Sequence, residues 1–136
     1  MGITITANFK GAPSYDGGYG TFYRLRNKFA KAIFNDELFK IYEEWLKTDE
    51  DTPNELLDEI CKSLYSENPT LYNFITQSDG GGKLTPKECK ELYLLIKDSQ
   101  EDFSFCYDAY HKSEMKDDIK KLLYDCWKHH SNLVWF

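Results

Sequence analysis

The sequence predicts a mainly α-helical single domain of about six helices, spanning residues 1–136, with a small sheet formed by the amino- and carboxy-terminal strands. Three observations carry that expectation. Apolar residues recur at helical spacing from Phe22 to Cys126. Helix-start signals break this pattern at Thr52-Pro53, Asn68-Pro69 and Thr85-Pro86. Only two runs read as strands, and they lie at the two ends.

Residues 3–6, Ile-Thr-Ile-Thr, alternate with β-branched residues throughout, as a half-buried strand does. A strand needs a partner, and the last four residues, Leu133-Val134-Trp135-Phe136, follow an expected helix stop at Asn132. Residues 11–20, GAPSYDGGYG, carry turn signals at nearly every position and read as a loop. Thr21 is placed to cap helix A, whose stripe is Phe22, Leu25, Phe29 and Ile33 with Ala30 and Ala32 beside it; Arg24, Lys28 and Lys31 share a second face.

Asn35 and Asp36 end that helix and start helix B, which turns Leu38, Ile41, Tyr42 and Trp45 inward. Thr52, Pro53 and Glu55 form a capping box for helix C, with Leu56, Leu57, Ile60, Cys61 and Leu64 as its apolar face. Asn68-Pro69 opens helix D. Gly80, Gly81 and Gly82 then supply positive backbone dihedrals for a tight reversal, and the Thr85-Pro86-x-Glu88 box starts helix E with Cys89, Leu92, Leu95 and Ile96 on its stripe. Phe103, Phe105, Tyr107 and Tyr110 suggest buried aromatics in a short helix or packed loop. The last helix, about 114–130, carries Met115, Ile119, Leu122, Leu123 and Cys126.

A chain of 136 residues with 16% aromatics can bury a core without disulfide or metal staples. It has no apolar run of membrane-spanning length and no signal-peptide pattern, so the expected compartment is the cytosol, including that of an infected bacterial host. Cys61, Cys89, Cys106 and Cys126 form no CxxC pair and read as reduced core residues. Net charge is −6, unevenly spread: residues 1–35 hold five cations against Asp16 alone, +4, which leaves −10 for the rest. Such asymmetry points to a bipolar surface.

No arrangement of catalytic type is present. There is no GxSxG, no Ser or Cys with a visible base, and no carboxylate pair in an apolar setting, so no catalytic residues and no cofactor are assigned and the chain reads as no enzyme. Zinc could use Cys106, His111, Cys126, His129 and His130 only at spacings that match no finger, and adjacent histidines point to different faces of a helix.

Three binding features are legible. The segment Tyr15, Gly17, Gly18, Tyr19, Gly20 and Thr21, followed by Arg24, Arg26 and Lys28, combines glycines at a helix start with cations and aromatic rings. Those are ingredients of an anion or nucleotide site, without the Walker or GxGxxG spacing. The bland alternative is a turn with its basic face paired to helices B and C. The second feature is ten acids between residues 36 and 59 against Lys40 and Lys47. Glu43, Glu44, Asp49, Glu50 and Asp51 lie at its centre and would meet a basic partner, or form only a solvated face. The third is the glycine loop laid on a calcium-binding EF-hand loop, with Gln77 first, Asp79 third, the Lys83 carbonyl seventh and Glu88 twelfth. Calcium takes six to eight oxygens, and carboxylates are missing at the first and fifth places. The expectation is therefore no metal, with calcium as an alternative.

The segments GGYGTFYRLRNKFAKAI, LYNFITQSDGGGKLTPKECKELYLLI and WKHHSNLVWF together resemble a loose group of small uncharacterised phage and prophage proteins from low-GC bacteria. The resemblance spans most of the chain, implies an accessory phage gene and supplies no activity. The expected function is a non-enzymatic binding protein, a phage-encoded modulator or inhibitor of a host protein, including a defence system, acting through charged helical surfaces and exposed aromatics. The alternatives are a small-ligand binder at the glycine loop before helix A and a degenerate calcium-binding helix-loop-helix.

Overall fold

The computed structural model describes residues 2–105 and 118–136. Among them are six helices: α1 (Tyr19–Ile33), α2 (Asp36–Leu46), α3 (Asn54–Glu67), α4 (Pro69–Thr76), α5 (Pro86–Ile96) and α6 (Asp118–Lys128). Four strands accompany them: β1 (Gly2–Ala7), β2 (Tyr15–Gly18), β3 (Gly82–Leu84) and β4 (Leu133–Trp135). The sheet is antiparallel throughout, in the order β2-β1-β4-β3. The two ends of the chain pair as the sequence predicts, Ile5 opposite Trp135 and Ala7 opposite Leu133, and Thr4 and Phe136 exchange backbone hydrogen bonds of 2.8 and 3.1 Å.

The two outer strands come from segments that read as loops. β2 and β3 are glycine-bearing and lack alternating apolar residues, so no period-2 pattern marks them. They form because β1 and β4 would otherwise leave open edges, and because glycine leaves room for large rings. Gly17 lies opposite Ile3, and a Cβ there would come within 2.8 Å of the Phe105 ring. Gly82 lies opposite Trp135, and a Cβ there would stand 2.6 Å from Cε2 of its indole. None of Gly80, Gly81 or Gly82 has positive φ, contrary to the turn reading; among the described glycines only Gly11 does, at 81°. Glycine at 82 is required by close approach.

One face of the sheet carries Ile3, Ile5, Ala7, Leu84, Leu133 and Trp135, all buried, and packs against α1, α5 and α6. Trp135 anchors the core. Phe22 lies 5.5 Å and Phe74 5.7 Å from it between ring centroids, and its indole Nε1 donates to the Ser78 carbonyl at 2.9 Å. Phe29 continues the cluster to Phe74 and Phe103, at 5.1 and 5.0 Å. Phe103 and Phe105 are buried as expected; Tyr107, Tyr110, Met115 and the predicted first turn of the last helix lie outside the described residues.

Helix starts follow the sequence at three sites. Asn35 and Asn68 accept from Leu38 and Leu71 amides, and Thr85 and Glu88 form a complete capping box. At two sites they do not. Gly18, without a side-chain cap, precedes α1, so Thr21 falls inside the helix and accepts instead from Arg24 at 3.3 Å. Pro53 precedes α3, and Thr52 closes the α2–α3 turn by accepting from the Asp49 amide at 3.0 Å. Burial departs at Leu56 and Leu95, both about half exposed, and at Cys61, which is half-buried. Cys89 and Cys126 are fully buried, and a hydrogen bond between them together with burial pushes the Cys89 thiol well up.

The last helix ends at Lys128 and is closed at His130, before the expected stop at Asn132. His130 has φ 52°, its amide donates to Trp127 O, and the Ser131 amide donates to Cys126 O at 3.0 Å. This is a Schellman closure with a non-glycine residue in the left-handed position. Ser131 Oγ then accepts from the Asn8 amide, tying the helix end to β1. His130→Gly is expected to stabilise the fold by roughly 1 kcal/mol, the cost of a Cβ in that conformation, and to raise the thermal midpoint by a few degrees. A fall in the midpoint would refute this account.

Candidate functional site

The residues of the expected anion site do not converge. Tyr15, Gly17 and Gly18 belong to β2, with Gly17 buried beneath Phe105; Tyr19, Gly20 and Thr21 form the first turn of α1. Arg24 and Lys28 stay on the outer part of α1, while Arg26 turns inward and is 7% exposed. Its guanidinium lies 4.1 Å above the Phe22 ring, donates to Ile75 O at 3.4 Å and Gln77 O at 2.9 Å, and pairs with Asp79 at 2.8 Å. Arg26 thus closes the carboxy-terminal end of α4, where carbonyls lack helical partners and a cation suits the helix dipole. Burial lowers its pKa and Asp79 partly restores it. It is a structural cation, unavailable to clamp a ligand.

The calcium alternative fails on the same kind of geometry. Gln77 uses both ends of its amide on Lys83, accepting from its N–H at 3.0 Å and donating to its carbonyl at 2.9 Å. Asp79 is held by Arg26, and Glu88 accepts from the Thr85 amide. Every proposed ligand has another partner, and among the described residues no cluster of three or more His, Cys, Asp or Glu could hold a metal. Of the histidines weighed for zinc, His129 stacks on Phe9 at 4.2 Å, Cys126 packs in the core, and Cys106 and His111 lie outside the described residues.

The acidic residues form a real surface. All ten, Asp36, Glu37, Glu43, Glu44, Asp49, Glu50, Asp51, Glu55, Asp58 and Glu59, are exposed on the packed pair α2–α3 and its connecting turn. Among the described residues the ion pairs are Arg26–Asp79 and Lys31–Glu101, so none of the ten is neutralised by the basic face of α1. Asp49 has a local role as well, its carboxylate accepting from the Asp51 amide at 3.0 Å. Beside this surface a hollow of about 220 Å³ between α1 and α2 is lined by Tyr23, Phe39, Leu46 and Glu43 among others. At its floor the Tyr42 hydroxyl donates to Asn27 Oδ1 at 2.7 Å, and burial pushes the phenol well above its ordinary pKa.

No protein-family model, curated protein or solved structure matches this chain.

Two further clefts flank α5. One, of about 520 Å³, lies against α4 and is lined by Glu67, Pro69, Leu94 and Leu95, with the Thr70 hydroxyl donating to Glu91. The other, of about 320 Å³, lies between α5 and α6 and is lined by Tyr93, Lys97, Lys120, Lys121 and Tyr124. The Tyr93 and Tyr124 rings stand 5.3 Å apart. Trp127 continues the aromatic row 5.8 Å from Tyr124, with Lys128 4.0 Å and Lys90 5.3 Å above its ring. The Lys90-x2-Tyr93-x3-Lys97 spacing on α5 and its C-cap and the Lys120, Tyr124, Trp127, Lys128 spacing on α6 mark this face in the sequence. An acidic total masks it, because net charge averages over faces that folding separates. α1 and α4 pack against both helix pairs, α2–α3 and α5–α6. Among the described residues no helix is long and apolar enough to cross a membrane.

Proposed function

We propose that this protein is a non-enzymatic binding protein, a phage-encoded modulator or inhibitor of a host protein, which docks through the acidic face of α2 and α3. One observation carries the reading: ten exposed carboxylates share that face and its turn, and among the described residues none has an intramolecular ion pair. Crowded like charges destabilise the compact state that carries them, and a basic partner surface relieves that repulsion while steering encounter. The neighbouring hollow with Tyr23, Phe39 and Leu46 supplies aromatic and aliphatic contact of the kind that anchors an interface.

The test uses Glu43→Lys, Glu44→Lys, Glu50→Lys and Asp51→Lys together. Asp49 is left intact because its side chain holds the turn. The positions are exposed, so each change is expected within about 0.5 kcal/mol of neutral in stability. Capture of a host protein by the full chain should fall at least about tenfold, and capture by the unaltered chain should weaken as salt rises. Undiminished capture by a folded quadruple variant would discard the reading.

A further inference from the structure

We propose that the cleft between α5 and α6 binds a nucleoside phosphate, its base against Tyr93 and Tyr124 and its phosphate against Lys97 and Lys121. The observation is a cavity of about 320 Å³ whose lining, among the described residues, holds three lysines, two tyrosines and no carboxylate, in a chain of net charge −6. Cations gathered in one hollow of an acidic protein define a local anion-attracting field.

Lys97 and Lys121 are exposed, and neither has an ion pair among the described residues. Lys120 plays a different part: its ammonium donates to the Ser99 carbonyl at 2.8 Å and the Lys97 carbonyl at 3.4 Å. These carbonyls follow the carboxy-terminal end of α5, whose negative dipole end would repel a phosphate. By occupying them with a cation, Lys120 makes that end of the cleft compatible with an anion. Ammonium groups serve phosphates as mobile point charges, and tyrosine faces accept any base by stacking. The volume lies at the lower end of small-molecule pockets, about 300 Å³ and upward, and suits a single nucleotide. A long polyanion would also meet the field of the acidic chain.

The experiment is calorimetric titration of the full chain with adenosine 5′-monophosphate at low ionic strength, beside adenosine, inorganic pyrophosphate and a short oligothymidylate. Saturable one-to-one binding is expected, with adenosine and pyrophosphate each at least about tenfold weaker, since each keeps only half of the contacts. Lys97→Gln with Lys121→Gln, both at exposed positions that leave the fold intact by thermal melting, should weaken the monophosphate at least about tenfold. Tyr124→Leu should weaken it comparably while leaving pyrophosphate unchanged. Absence of saturation, equal affinity for pyrophosphate, or indifference to the lysine pair would overturn the proposal. Tighter binding of the oligothymidylate than of the monophosphate would overturn it in favour of a strand-binding face.

Discussion

Arg26→Ala is expected to cost about 3–5 kcal/mol and to lower the thermal midpoint by roughly 10 °C, a large share of the 5–15 kcal/mol typical of a whole domain. The ion pair contributes least, because Asp79 is half exposed and its attraction is screened by solvent. The larger loss is at the end of α4, where the Ile75 and Gln77 carbonyls lose a charged donor and the Ile75 bond is buried. Removing the side chain also empties space above Phe22 and beside Trp135, whose ring centroid lies 6.0 Å from the guanidinium carbon. Two companion variants separate these effects. Asp79→Asn should cost about 1 kcal/mol or less, and Arg26→Lys an intermediate amount, since an ammonium keeps the charge but cannot fork between two carbonyls. Denaturant melts showing Asp79→Asn to be as costly as Arg26→Ala would mean that the ion pair dominates, and this account would be wrong.

Arg26 also illustrates what a sequence conceals. Phe22, Leu25 and Phe29 announce the inner face of α1, and Arg26, one residue from Leu25, reads as a cation of the expected anion site. The deciding fact is long-range: the end of α4, some fifty positions later in the chain, arrives beside it with unpaired carbonyls. Features governed by neighbours in sequence were legible, among them the Asn35, Asn68 and Thr85 caps and most of the stripes of α1, α5 and α6; the pairing of the two ends was legible only because they are the two runs that read as strands. Other features governed by contact across the fold were not. β2 and β3 are strands because edges of β1 and β4 lie open to them, and no alternation within YDGG or GKL could say so. The acidic face was legible because its ten residues fall on two consecutive helices and their turn, whereas the α5–α6 cleft draws on segments more than twenty residues apart.

The three glycines at 80–82 allow the distinction between local and long-range causes to be measured. If each glycine served a left-handed turn, alanine would be costly at all three positions; φ is not positive at any of them. A Cβ on Gly80 would stand 3.5 Å from Ser78 Oγ and one on Gly81 3.7 Å from Trp135 O, both ordinary contacts. Gly80→Ala and Gly81→Ala should therefore be neutral, or stabilising by about 0.5 kcal/mol through the entropy of the unfolded chain. Gly82→Ala is expected to cost about 2–4 kcal/mol, because its methyl would overlap the indole of Trp135 and stand 2.6 Å from the Gln77 carboxamide oxygen. Neither obstacle is free to move: Trp135 is 1% exposed and bonded to Ser78, and Gln77 is held at both ends by Lys83. Trimming the ring tests the cause directly. Trp135→Leu is costly alone, but combined with Gly82→Ala the two losses should fall short of their sum by about 1 kcal/mol or more, since the second change removes what the first collides with. Strict additivity in thermal or denaturant melts would place the cost of alanine at position 82 elsewhere than in its approach to Trp135.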